Sequence, residues 1–350
     1  WKQLGTNCRN LPQVHTIVRI MRMICEIVCP GVLLLGEVVM APEKVVPYFG
    51  TVEKPECHLL YNVTTMASTW HTVATKDVSL LRRQLDIISE LPRDYVFQNY
   101  LRCHDDIGWG LDYEYLENFG IQEVPHKKYL NDFLTGKYPD SFARGELYND
   151  DPRLGDARLC GTTASLCGIE RFGFEGNQEG VDRAVRYDIT LHAFMLSQSG
   201  IPVIYSGDEI GQVNDYSYKD DPEKSDDSRY LHRGKFDWKL AENRHDPATV
   251  QGKLFPVLDK LEHIRSSHGI FNSNVPIHTI DTWDNSILAF VRENDEEKFI
   301  GIYNFSENDK VAWINEEDGM YTDLISGREM EAKGVQIPAF GCYWLCRNKQ

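Results

Sequence analysis

Three apolar runs in this chain finish on charged residues, and that arrangement constrains the fold more than any other feature. "VLLLGEVV" (32–39) reaches Glu37, "YVFQNYLRC" (95–103) runs into His104-Asp105-Asp106, and "IPVIYSGDEIG" (201–211) ends on Asp208-Glu209. Continuous apolar runs suit strands buried in a parallel sheet. Neighbouring carboxylates at a strand end cost stability unless they bind something or meet a cation. "CHLLYNV" (57–63) reads as a fourth strand. Helical segments separate the runs. Residues 11–29 carry Val14, Ile17, Val18, Met21, Ile24, Cys25 and Val28 at helical spacing. A short helix fits Pro42 to Phe49, and Thr64 or Thr65 can cap a long helix running to about Ser89. "VDRAVRYDITLHAFMLSQSG" (181–200) is amphipathic and stops at glycine, and another helix fits Val250–Ser267.

Strand–helix alternation of this kind means an α/β fold with a parallel sheet and right-handed crossovers. Four units make either a complete open sheet or half of an eight-stranded (β/α) barrel. In a barrel all the acidic strand ends would point to one face, where active sites of that fold lie. Between Ile107 and Gly180 the periodicity breaks down into a stretch rich in Gly, Asp, Pro and aromatics, read as a large loop insertion with short helical pieces. Beyond His268, "PIHTIDTW", "SILAFVREN", "KFIGIYNFS" and "GVQIPAFGCYWLC" are short, β-branched and aromatic, which predicts an antiparallel β domain. The expected division is 1–106 for part of a barrel, 107–180 for the insertion, 181–268 for the end of the barrel and 269–350 for the β domain.

A net charge of −16 repels nucleic-acid backbones and anionic lipid headgroups, so neither is an expected partner. The apolar runs are too short and interrupted to span a bilayer. The nine cysteines form no C-x-x-C pair and show no zinc spacing, so no metal or organic cofactor is expected. Free thiols inside apolar runs favour a reduced, cytoplasmic setting. The start, "WKQLGTNCRN", reads as the interior of a longer protein, with Trp1 an internal residue.

Two carboxyl groups flanking one bond are the minimum apparatus for glycoside cleavage. Glu37 follows four apolar residues and a glycine and precedes Val38, Val39 and Met40; an apolar wall there would keep it protonated for acid duty. The plainer reading is a strand-end glutamate in solvent. Asp105 and Asp106 are adjacent, so on a strand one could enter the cleft while the other meets a cation. His104 could donate to a sugar hydroxyl or be a neutral core histidine. A metal-dependent phosphohydrolase would use the same His and Asp, but the remaining histidines show no matching ligand spacing. Asp208-Glu209 reads as structural. Trp109, Tyr113 and Tyr115 are expected to pack the insertion rather than stack on sugars, and Trp283 and Trp344 to pack the β domain.

Taken together, "LRCHDDIGW", "GEVVMAPEKVVPYFG", "SFARG", "GDARLCGT", "VIYSGDEIG" and "KSDDSRYLHR" resemble, in the same order, the amylosucrase and sucrose-hydrolase branch of the α-amylase glycoside hydrolase family. The resemblance implies the C-terminal half of a (β/α)₈ barrel, strands five to eight, with an insertion after the seventh and a C-terminal antiparallel β domain. It implies that Glu37 is the acid/base and Asp105 the transition-state stabiliser. It further implies that His104 binds the glucosyl ring, Asp106 and Arg158 hold the leaving sugar, and Arg229 closes the pocket floor by an ion pair with a residue upstream of Trp1. The nucleophilic aspartate would also lie upstream, so the 350 residues alone would be inactive. The implied partners are sucrose and an α-glucan or oligosaccharide acceptor, with sucrose hydrolysis or another α-amylase-family hydrolysis as alternatives. Val38-Val39-Met40, where amylosucrases more often carry Ala-Ile-Val, leaves transfer against hydrolysis open. A non-catalytic sugar-binding protein is the alternative from a different class.

Overall fold

A computed structural model describes residues 2–151, 155–314 and 319–349. Trp1, read above as an internal residue, lies outside the described residues.

The helix expected at the start is α1 (Pro12–Val28), with proline in its first turn where no amide hydrogen bond is lost. It buries no residue. Ile20, Met21, Met23, Ile24 and Ile27 stand exposed along its apolar stripe. The face that docks is mixed: Val14 and Val18 pack against the cluster of Val45, Tyr48 and Leu60, and the fully buried Glu56 meets His15 Nδ1 at 2.7 Å and Arg19 Nε at 3.0 Å. β1 (Leu35–Gly36), α2 (Pro42–Val45) with a 3₁₀ turn (Val46–Phe49), and β2 (Leu59–Tyr61) follow. Gly36 is required by close packing, since a Cβ there would lie 2.6 Å from Leu60 Cδ2 and 2.9 Å from Cys57 Sγ.

The long helix expected from Thr64 or Thr65 to Ser89 is two helices, α3 (Val63–Thr75) and α4 (Ser79–Ser89). Lys76 breaks it with a left-handed φ of 61°. Its ammonium returns to the α3 end, donating to Val73 O at 2.7 Å and lying 4.6 Å from the Phe142 ring centroid. β3 (Val96–Asn99) is shorter than the nine-residue run that contains it. The insertion is more ordered than its composition suggests. It holds α5 (Tyr113–Glu117), the twelve-residue α6 (Glu123–Leu134), the antiparallel pair β4 (Glu146–Tyr148) and β5 (Arg158–Cys160), and the short helices α7 (Thr163–Cys167) and α8 (Ile169–Phe174). The helical period of α6 is masked by a polar face and by Pro125 in its first turn, where proline is tolerated.

α9 (Gln178–Ser197) is mostly buried, wholly so from Thr190 to Ser197, β6 (Ile201–Pro202) follows it, and α10 (Trp238–Ala241) and α11 (Val250–Ser267) complete this part. Strands β1-β2-β3-β6 pair in that order, all parallel. A six-stranded antiparallel sheet then combines β7 (His278–Ile280), β8 (Ile287–Glu293), β9 (Glu297–Asn304), β11 (Met320–Asp323), β12 (Glu329–Glu331) and β14 (Cys342–Asn348) in the order β12-β11-β14-β9-β8-β7. β10 (Lys310–Ala312) and β13 (Val335–Ile337) form a separate ribbon. One core joins the two parts: Trp70, Tyr187, Phe194, Phe290, Tyr303 and Trp344 all belong to it. Arg292 of β8 fastens the sheet to α9, donating to Ser197 O at 2.8 Å.

Trp344 is in this core as expected, but Trp283 is not. It is 79 % exposed with φ at 58°, because the turn between β7 and β8 points it outward. Within the insertion Trp109 is buried and donates to Asn131 Oδ1 at 2.7 Å, Tyr113 packs edge-on to His126 and Tyr115 edge-on to Phe119, while Tyr115 also lies under Arg83 of α4. All nine cysteines are free. No helix among the described residues is long and apolar enough to cross a membrane.

Candidate active site

The segment Arg102–Ile107 lies beyond the end of β3 and is pinned on both sides. Arg102 is buried against Asp208, Nε to Oδ1 at 2.8 Å, each side chain 2 % exposed. The same guanidinium donates to His232 O at 3.1 Å, and Thr163 Oγ1 donates to the other Asp208 oxygen at 3.0 Å. At the far end Ile107 and Leu159 exchange backbone bonds of 2.8 and 3.0 Å, tying the loop to β5. Asp208 is thus structural, as its sequence setting suggested. His104, Asp105 and Asp106 occupy a loop rather than the last positions of a strand, but this loop has two fixed ends.

Between those anchors the two aspartates go to different cations. Asp105 Oδ1 accepts from Arg229 Nη1 at 3.0 Å and Arg233 Nη2 at 3.3 Å. Asp106 Oδ2 accepts from Arg158 Nη1 at 3.2 Å. These partners answer the cost of the adjacent like charges. His104 stands between carboxylates: its Nε2 lies 4.0 Å from Glu37 Oε1 and 3.7 Å from Asp105 Oδ2. The four sequence-predicted groups Glu37, His104, Asp105 and Arg229 therefore adjoin, with Asp106 and Arg158 paired beside them.

Glu37 directly follows β1 and its side chain is 43 % exposed, so the described residues do not close an apolar wall around it. Val38 and Met40 turn toward the cluster beneath α2, and Val39 faces solvent. Arg229, expected to reach for a partner upstream, already grips Asp227 with two bonds of 2.9 Å. That bidentate contact raises the Arg229 pKa and holds the Asp227 carboxyl below its usual range.

Several residues of the site were not singled out from sequence. Arg233 Nε donates to His104 O at 2.5 Å and reaches both Asp105 and, at 3.8 Å, Asp227. Its place four residues after Arg229, directly following the 3₁₀ segment Ser228–His232, was the available signal. Tyr148 of β4 lies under the Arg229 guanidinium, 4.5 Å from ring centroid to carbon. Tyr61, closing β2, packs edge-on to Tyr100; burial, then the Glu37 charge, raises its pKa. Cys103 is pushed up to about 11 by burial.

Arg233 holds the His104 carbonyl and the Asp105 carboxylate at once, so in the catalytic role proposed below for Asp105, Arg233→Ala is expected to lower kcat by one to two orders of magnitude, on the order of the ~10²-fold cost of misplacing a reacting group by about 1 Å. Arg233→Lys should recover part of it, having charge without the planar fork. Unchanged kcat in the alanine variant would show that Asp105 is positioned without it.

No family model matches the chain. It is 26 % identical over 347 residues to the glucosylglycerate phosphorylase of Escherichia coli, a match covering 99 % of this chain and 58 % of that protein. It is 26 % identical over 309 residues to the glucosylglycerate phosphorylase of Allomeiothermus silvanus, covering 87 % and 51 %. The trehalose synthase of Thermus thermophilus is 27 % identical over 213 residues, covering 60 % of this chain and 18 % of that one. The chain thus spans about half the length of the phosphorylases it matches. Among solved structures, the sucrose 6F-phosphate phosphorylase of Thermoanaerobacter thermosaccharolyticum superposes with a TM-score of 0.62 at 17 % identity, covering 95 % of this chain and 58 % of that one. The α-amylase of H. orenii gives 0.55 at 16 %, covering 97 % and 57 %. The chain shares its fold with these solved enzymes.

Proposed function

We propose that this chain carries the acid/base and the transition-state stabiliser of a retaining, α-glucoside-active enzyme. The observation that carries the reading is the placement of Glu37 and Asp105, from beyond two different parallel strands, on either side of His104. In the whole protein a carboxylate outside these residues attacks the anomeric carbon while Glu37 protonates the departing glycosidic oxygen. Asp105, held between Arg229 and Arg233, faces the positive charge that develops at the sugar. Glu37, now deprotonated, then takes a proton from the acceptor as it displaces the enzyme. His104 orients the glucosyl ring, Arg158 and Asp106 hold the leaving group, and Arg229 closes the pocket floor.

In this reading the four parallel strands are strands five to eight of a (β/α)₈ barrel, divided at 1–106, 107–180, 181–268 and 269–350. The exposed apolar stripe of α1 and the open edges at β1 and β6 support it, since such surfaces call for covering chain. The 350 residues by themselves are inactive. The donor is sucrose and the acceptor an α-glucan or oligosaccharide, in the cytoplasm. A second reading is favoured by the similarity, along nearly the whole chain, to a glucosylglycerate phosphorylase: the acceptor is inorganic phosphate and the donor glucosylglycerate.

Incubating the whole protein with sucrose or glucosylglycerate, with and without phosphate, separates these. Fructose in excess of glucose means glucosyl transfer, and equal amounts mean hydrolysis. Glucose 1-phosphate formed only with phosphate means phosphorolysis. No release from either donor, nor from maltose or trehalose, would leave the sugar-binding alternative. Glu37→Gln should lower turnover in every productive case.

A further inference from the structure

Cys103 has no part in the chemistry proposed above, yet it faces two residues that do. We infer that Glu37, Cys103 and His104 form a capture site for a thiophilic divalent cation, Zn²⁺ or Cd²⁺, inside the candidate cleft. A carboxylate oxygen, a thiol sulfur and an imidazole nitrogen lie there within 4.8 Å of one another. These three donor types are the ones zinc takes, with bonds of about 2.0–2.3 Å. The Nε2–Oε1 separation of 4.0 Å is wider than a metal-bound pair, and closing it requires only turns of side chains that are 51 % and 43 % exposed. Cys103 provides the fixed point. It directly follows the anchored Arg102, and its sulfur accepts from Asp105 N at 3.4 Å. Asp105 Oδ2, 3.7 Å from the imidazole, or water can complete a tetrahedron.

The described residues supply an internal contrast. His268, Glu297 and Cys346 bring together the same donors. There the carboxylate is spent: His268 Nδ1 meets it at 2.5 Å and Ile270 N donates to its other oxygen at 3.3 Å, within the packed β domain. Glu37 has no such commitment and opens to solvent, so a cation can reach it.

A cation bound here removes the Glu37 lone pairs and the His104 nitrogen from the sugar, so it reversibly blocks turnover. That consequence rests on the function proposed above; the binding does not. The test titrates the whole protein with Cd²⁺ alone and reads the ultraviolet thiolate-to-metal charge-transfer band. Wild type is compared with Cys103→Ser, Cys103→Ala and, as a control, Cys346→Ala. One equivalent of band should vanish in both Cys103 variants and persist in the control. Zn²⁺ should then inhibit wild type, with recovery on chelation. The Cys103 variants, each measured against its own metal-free rate, should need at least the roughly 10–100-fold more Zn²⁺ that loss of even an outer-shell partner costs. An undiminished band in the Cys103 variants overturns the site. A lost band with equal Zn²⁺ sensitivity keeps the site and overturns the block. If the protein turns over no α-glucoside, the band alone decides the site.

Discussion

Arg102→Met should destabilise the protein by about 3–5 kcal/mol, because it leaves the Asp208 carboxylate buried without its counter-charge. Three bonds lie at stake around that pair: Arg102 to Asp208, Arg102 to the His232 carbonyl, and Thr163 to Asp208. Asp208→Asn leaves the Arg102 guanidinium without its counter-charge but should cost less, since the amide oxygen still accepts a bond and the guanidinium keeps the His232 carbonyl and the Tyr205 ring face. The double variant Arg102→Met/Asp208→Leu should recover much of the loss, as paired apolar replacements of buried ion pairs do. Urea unfolding of the four proteins measures this. A single-variant cost below about 1 kcal/mol, the level of a surface pair, would mean that water reaches the site. The effect extends to the candidate chemistry, because Arg102 is one of the two stakes that hold the His104–Asp106 loop.

The second large effect concerns acid. His71 and His232 are almost fully buried, and desolvation lowers each from 6.5 to about 3, aided at His71 by His126 and at His232 by Arg102. Asp77 opposes the shift at His71, and Asp227 and the His104 backbone oppose it at His232. The folded protein keeps both rings neutral, whereas the unfolded chain protonates them below about 6.5. Folding stability is therefore fully present above pH 6.5 and falls as pH drops from there toward 3. At pH 5 each ring accounts for about 2 kcal/mol of lost stability, from 1.36 kcal/mol per pKa unit. The urea midpoint should fall steeply between pH 7 and 5, and His71→Leu should remove about half of that slope. A flat profile over this interval would show that both histidines are protonated, or wet, in the folded state.

The parts of the fold legible from sequence are those governed by local period. Val250–Ser267 forms the expected helix residue for residue, and α1 agrees within a residue at each end, because the 3.6-residue repeat of apolar positions is written locally. The C-terminal strands were legible for the same reason, through short β-branched runs between turn residues. The parallel strands were placed correctly but drawn too long. An apolar run marks burial, while strand extent is set by which neighbour's backbone lies alongside, and β1 and β6 find only two residues of pairing each. The break at Lys76 is not legible in sequence because no glycine or proline marks it; its left-handed turn is held by an ammonium among aromatic rings from α6, α9 and the β domain.

The candidate site divides in the same way. Residue types and strand ends in the sequence were enough to single out Glu37, His104, Asp105 and Asp106, since charge at the end of an apolar run is anomalous wherever the chain goes. Their cations were not legible by any local rule. Asp105 and Arg229 are 124 residues apart, and Arg102 and Asp208 are 106 apart. Sequence alone thus determined an α/β chain with acidic strand ends and a β-rich tail, because hydrophobic period and turn chemistry act between near neighbours. Only the tertiary structure decided which charges meet, that Arg233 clips the loop, and that Glu37 comes to lie beside Cys103 and His104. Electrostatic partnership depends on distance through space, and folding sets that distance.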